Sequence, residues 1–166
     1  MPIFHPTAAV TGVLEITPEL LSKIGVSAVI LDVDNTLSLH GSQTPYEGTV
    51  EWSRKIRDAG IAVLILSNNT KERVEPFAAL YGIPFVSRGL KPLPFGYWRC
   101  AKLMEAPCGK TAVVGDQIFT DTLGANNAGV IPLLVEPIRL AGNPGRYLRY
   151  AAETPFRMLG RRRPFL

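Results

Sequence analysis

The chain has 166 residues, 46% hydrophobic and 19% charged, with a formal net charge of +4. That balance is globular rather than disordered, and no uncharged apolar run approaches the roughly 18 residues of a membrane span. The length suits one domain over residues 1–166 with a substantial core, and the opening MPIFHPTAAV lacks the basic start and long apolar middle of a secretion signal, so a cytoplasmic address is expected. The charge is unevenly placed: residues 139–166 hold seven arginines against one acid, Glu153, and the rest of the chain is slightly acidic.

The first apolar run, SAVIL, ends in Asp32-Val33-Asp34. A strand buried on both faces reads as a continuous aliphatic run, and charges are almost never fully buried without a partner, so the two aspartates are expected at a strand's open end. The segment EGTVEWSRKIRDAG then places Val50, Ile56 and Ala59 at helical spacing, with Gly60 as a stop. A second run, IAVLIL, ends in Ser67 and Asn68. TKERVEPFAALYG reads as a helix ended by Gly82, with Pro76 arguing for a kink or a late start. The third run, PFV, leads to Lys91, and PLPFGYWRCAKLMEA is a further helix. The fourth, TAVVG, ends in Asp116, with Asp121 five residues on. A fifth, VIPLLV, follows DTLGANNAG, and the last 25 or so residues, rich in Gly and Pro, are the least regular.

Strand and helix alternating in this way predict an α/β fold, a three-layer Rossmann-like sandwich with a mostly parallel sheet and a core at about 26–137. Ligands of such sheets bind beyond the carboxyl ends of the strands. Four of the five aspartates, Asp32, Asp34, Asp116 and Asp121, follow apolar runs. Caps and Asx-turns account for one or two of them, but not for Ser67, Asn68 and Lys91 at the same edge. Clustered carboxylates need a cation, and hard oxygen ligands suit Mg2+. Asp32 and Asp116 could hold it while one carboxylate attacks phosphorus. Ser67 could bind a phosphate oxygen, and Lys91 could offset transition-state charge. A second carboxylate two residues on points the same way along a strand and could serve as acid and base. Cys100 and Cys108 fit no zinc spacing and read as small packed side chains; His40 stands out only by following the aspartate pair.

DVDNT, SNN, the lysine of LKP and GDQIFTD, in that order over residues 28–121, resemble the haloacid dehalogenase (HAD) superfamily of aspartate-nucleophile phosphatases. ITPELLSKIGVSAVILDVDNTL and YGIPFVSRGLKP further resemble its subfamily IIIA, a branch of YqeG-type bacterial proteins related to the mitochondrial phosphatidylglycerophosphate phosphatase. The resemblance implies a fold and a set of roles. Asp32 is nucleophile and Mg2+ ligand; Asp34 is acid/base, with its backbone carbonyl on the metal. Ser67, with Asn68 beside it, and Thr36 belong to the phosphate pocket, Lys91 is the third-motif lysine, Asp116 the acidic metal ligand, and Asp121 an outer or water-mediated partner.

Caps of this superfamily are inserted after the first or second motif, and neither Leu37–Gly60 nor Thr70–Leu90 has room for one. A capless, open site admits a lipid headgroup, a phosphoprotein or a nucleic-acid end. The tail mixes its arginines with Tyr147, Tyr150, Phe156 and Phe165, which suits an anionic membrane surface, RNA, or a terminus whose aromatics pack back on the domain. The related lipid phosphatase favours phosphatidylglycerophosphate and peripheral attachment to the inner membrane face. A phosphoprotein, nucleotide or sugar phosphate is the alternative substrate. An RNA- or partner-binding module with vestigial catalysis is the alternative of another class.

Overall fold

The computed structural model describes residues 3–139 and 144–161. Its strands, β1 (Ala8–Val10), β2 (Ala28–Leu31), β3 (Ala62–Leu66), β4 (Phe85–Val86), β5 (Thr111–Gly115) and β6 (Ile131–Val135), form one sheet in the order β1-β6-β5-β2-β3-β4. Every pairing is parallel. The expected five strands are present, and the sixth, β1, is an edge strand of only three residues, AAV, too short to show a period.

Alternate residues of the central strands feed two apolar layers. Val29 and Leu31 of β2 join Val63, Ile65 and Val114 beneath α1 (Pro18–Lys23), α2 (Thr49–Asp58) and α3 (Lys71–Tyr81), which contribute Leu21, Ile56 and Phe77. Ile30, Leu64 and Val113 face the other way, onto Tyr97 and Cys100 of α4 (Phe95–Leu103) and Ala125 and Ala128 of α5 (Leu123–Ala128). This is the three-layer sandwich expected of a parallel sheet. α3 runs through Pro76 and stops at Gly82, whose φ of 63° lies in the left-handed region that glycine tolerates best.

The chain winds outward from β2 through β3 to β4, then returns to β5 on the other side of β2. The order of strands therefore reverses between β2 and β5, and a crevice opens at their carboxyl ends. Asp32 follows β2 and Asp116 follows β5, and the Asp32 amide donates to Val114 O at 2.9 Å.

The C-terminal segment corrects its reading as irregular. Pro144–Arg161 forms a helix, α6, that packs on β1. Phe156 meets Phe4 with ring centroids 5.2 Å apart, so this tail aromatic does pack back. Arg162, Arg163 and Phe165 lie outside the described residues. Among the described residues no helix is long and apolar enough to cross a membrane.

Candidate active site

An open cavity of about 470 Å3 lies at the crevice, lined by Asp32, Asp34, Ser67, Asn68 and Lys91 together with His40, Asn69, Gln117, Thr120, Gly145, Arg146 and Arg149. Between β2 and α2 the chain makes only a small flap, with single bridges from Ser38 to Asp34 and Pro45, and between β3 and β4 stands α3 alone. No cap domain is present among the described residues.

Lys91 is the hub. Its ammonium donates to Asp32 Oδ1 at 2.5 Å and to Asp121 Oδ1 at 2.7 Å, with all three side chains buried. Asn68 holds the lysine's main chain: its Oδ1 accepts from Lys91 N at 2.7 Å and its Nδ2 donates to Lys91 O at 3.1 Å. Asn68 thus lines the cavity and also fixes the lysine. Thr36 lies behind Asp32 and donates to its Oδ2 at 3.4 Å, supporting the aspartate instead of lining the cavity. The Ser67 hydroxyl accepts from Asn69 N at 3.2 Å.

Asp32, Asp116 and Asp121 offer carboxylate oxygens that all lie within 4.8 Å of one another. Asp121 sits on a π-helical turn, Ile118–Thr122, a distortion frequent at functional sites. It presses so close to β5 that a methyl group on Gly115 would overlap its carboxyl carbon. The resemblance gives Asp121 an outer role; its carboxylate stands in one cluster with Asp32 and Asp116.

Burial pushes the Asp32 carboxyl up to about 7, Lys91 opposing the rise and Asp121 adding to it. Burial, with Asp32 and Asp121 adding to it, also drives Asp116 well above the usual carboxylate range. Burial alone would lower Lys91, but Asp121 and Asp32 overcome it and hold the ammonium charged. Lys91 thus pairs with two of the three buried carboxylates, and Asp116 Oδ1 is buried without a hydrogen-bond partner among the described residues. A hard divalent cation fits such a donor set, supplying both the missing charge and the missing contact.

Asp34 lines the same cavity but makes its own set of contacts. It lies beyond β2, which ends at Leu31, and just before Asn35, which turns the backbone with φ 61°. The Asp34 carboxylate accepts from Gly41 N (2.9 Å), Asn69 Nδ2 (2.8 Å) and Arg73 Nη2 (3.1 Å), and His40 Nδ1 is 3.3 Å away. Burial raises it, but the Gly41 amide, Arg73 and Asn69 together outweigh burial and hold it low. His40, which the sequence reading noted only for following the aspartate pair, is one of these partners; Asn69 and Arg73 escaped that reading, and of the two only Asn69 had a signal, as the second asparagine of SNN. Cys100 is buried and its thiol is pushed up to about 12, in keeping with packing.

The fold and the aspartate cluster at its switch point define a class, the α/β proteins whose site lies at the carboxyl edge of a parallel sheet. The family model for haloacid dehalogenase-like hydrolases matches residues 9–129. A probable phosphatase, YqeG of Bacillus subtilis (strain 168), is 35% identical over 156 residues, 94% of this chain and 90% of its own. Among solved structures, a HAD family hydrolase from Deinococcus radiodurans R1 with bound phosphate and sodium gives a TM-score of 0.60 at 16% identity, covering 80% of this chain and 89% of its own. The cobalt-bound deoxy-D-mannose-octulosonate 8-phosphate phosphatase YrbI from Haemophilus influenzae gives 0.56 at 18% identity, covering 85% and 93%. The chain belongs to the haloacid dehalogenase-like hydrolase family and is a phosphatase.

Proposed function

We propose that the protein is a Mg2+-dependent phosphomonoester hydrolase that works through an aspartyl-phosphate on Asp32. The carrying observation is Asp32 itself: buried, ion-paired to Lys91, and beside an Asp116 carboxylate of which one oxygen lacks a partner among the described residues. Asp32 and Asp116, with the Asp34 carbonyl, would hold the ion, and Asp121 stands close enough to share in it. Bound there, the ion would supply positive charge that favours the ionised nucleophile and the phosphate.

In the first step an Asp32 oxygen attacks phosphorus, the bond from phosphorus to the ester oxygen breaks, and Asp34 gives that oxygen its proton. In the second, Asp34 takes a proton from water as the water attacks the aspartyl-phosphate, releasing inorganic phosphate and restoring Asp32. The Gly41, Asn69 and Arg73 contacts favour the ionised, base form of Asp34. Ser67 binds a phosphate oxygen, Lys91 balances charge developing on phosphorus, Asn68 keeps Lys91 in place and Thr36 steadies Asp32.

The favoured substrate is phosphatidylglycerophosphate, taken from a membrane surface. Besides the resemblance, the support is a run of exposed apolar side chains: Leu90 and Leu93 flank Lys91 in the chain, and Phe95 and Trp98 follow just beyond. Exposed apolar side chains next in sequence to a residue of an uncapped polar site suit a headgroup presented by a bilayer. The test is phosphate release from vesicles carrying this lipid, with Mg2+ or EDTA, by the wild type and Asp32→Asn. Release needing both the metal and Asp32 is expected. An untouched lipid beside a hydrolysed soluble ester, with the same two requirements, would keep the mechanism and remove the substrate.

A further inference from the structure

The arginines of the C-terminal segment meet different fates along α6. Arg157 is buried and tied inward: its Nη2 donates to Glu153 Oε2 at 2.9 Å and also to Asp116 O, and its Nη1 lies 3.8 Å from Glu136 Oε2. Arg146 and Arg149, near the start of the helix, instead line the cavity that holds Asp32, Ser67 and Lys91. Three residues apart, they share a helix face.

Neutral amides orient both. Arg149 Nη1 donates to Gln117 Oε1 at 2.6 Å, and with its amide oxygen turned toward the helix Asn35 accepts from Arg146 Nη1. Among the described residues neither arginine pairs with a carboxylate, in contrast to Arg157. An amide positions a guanidinium without neutralising it, so both charges remain available to the cavity. The Lys91 ammonium, by comparison, is already engaged by two aspartates. At about 470 Å3 the cavity is of small-ligand size, larger than one phosphate fills.

We infer that Arg146 and Arg149, held by Asn35 and Gln117, form a second anion subsite beside the reacting position. The preferred substrate then carries a phosphomonoester and, a short linker away, a second phosphate group that the two guanidinium forks grip through its oxygens. This inference rests on the phosphatase reading of the cavity and extends it to substrate choice. The second phosphate can be the phosphodiester of a lipid headgroup or part of a free bisphosphate; the chemistry of recognition is shared.

The test is binding in the Asp32→Asn background, which reads the subsite without turnover. In solution the probes are glycerol 1,3-bisphosphate and glycerol 3-phosphate, by calorimetry. On phosphatidylcholine vesicles they are phosphatidylglycerophosphate and phosphatidic acid, by flotation. The two-phosphate probe is expected to bind roughly 10- to 100-fold more tightly in at least one arm, the scale of charge-assisted hydrogen bonds, and Arg146→Gln with Arg149→Gln should erase that preference. Preference in the soluble arm names a free bisphosphate, and preference in the vesicle arm alone names a lipid headgroup. No preference in either arm, a preference that survives both substitutions, or equal loss of one- and two-phosphate probes would overturn the subsite. Should the double variant melt early, Arg149→Gln alone is read against the same ratios. If the wild type hydrolyses none of the four probes while the arginine-dependent preference persists, the phosphatase reading of the site falls and the subsite stands.

Discussion

Lys91 shows how one side chain organises the site. Burial alone would strip its charge, yet the two carboxylates around it keep the ammonium, and it in turn keeps them together. Lys91→Met is therefore expected to lower kcat by about 10²–10³-fold, the cost of removing one preorganised charge from a transition state. Steady-state kinetics would check this, and a loss under threefold would remove the lysine from the chemistry. Gly115→Ala reaches the same cluster from below, because its methyl meets the Asp121 carboxyl. Its activity should fall while Asp34 keeps its own partners; a variant as active as the wild type would show that Asp121 can shift without consequence. Asp32, Ser67, Lys91 and Asp116 were legible because strand ends in a parallel sheet converge by topology. Arg73 and Gln117 were not, since a helix turn and a loop reach the site by paths that no local spacing records.

At the scale of elements the least legible part was α6. Pro144 and Gly145 open it and Pro155 lies inside it, where proline costs about 3 kcal/mol relative to alanine. The compensating signal was present as Arg146, Arg149, Tyr150, Glu153 and Arg157, spaced by three and four, but arginines read as solvated until a buried partner is seen. Glu153 and Arg157 are 1% and 3% exposed, so they fasten the helix from inside. Arg157→Met leaves Glu153 charged and buried, and about 3–5 kcal/mol of stability should be lost in urea unfolding. Glu153→Gln combined with Arg157→Met should recover part of it. A second contact ties α2 to α3: the Tyr81 hydroxyl lies 2.7 Å from Thr49 Oγ1. Burial pushes the Tyr81 phenol up to about 12, the Thr49 contact opposing, whereas an unfolded tyrosine ionises near about 10. The stability this contributes is whole below the unfolded value and is lost as pH rises through the folded one. Tyr81→Phe should flatten that decline between pH 10 and 12, and an unchanged slope would place the alkaline loss elsewhere.

For the molecule as a whole, the alternation of runs and helices made the sheet and its switch point readable, while β1 stayed hidden because an edge strand of three small residues has no pattern to display. The uneven charge was equally plain, but not where it would stand. Once α6 is folded, Arg146 and Arg149 are on the cavity, and the exposed Leu90, Leu93, Phe95 and Trp98 stand near it in the chain around Lys91. If those exposed side chains meet a bilayer, the two tryptophans report on it separately. Trp98 is 46% exposed, whereas Trp52 is 7% exposed and donates to Ile16 O at 2.7 Å. Vesicles containing phosphatidylglycerol should therefore shift the emission of the wild type to shorter wavelength, and Trp98→Phe should abolish the shift. Raising salt to about 0.5 M should weaken the association, because the Debye length falls to a few ångströms. Phe95→Ser should reduce vesicle binding about tenfold while leaving the hydrolysis of a soluble ester intact, since its ring lies outside the cavity lining. Salt-sensitive binding without any Trp98 shift would mean that charge alone holds the protein at the surface and that these apolar side chains are not the part that enters it.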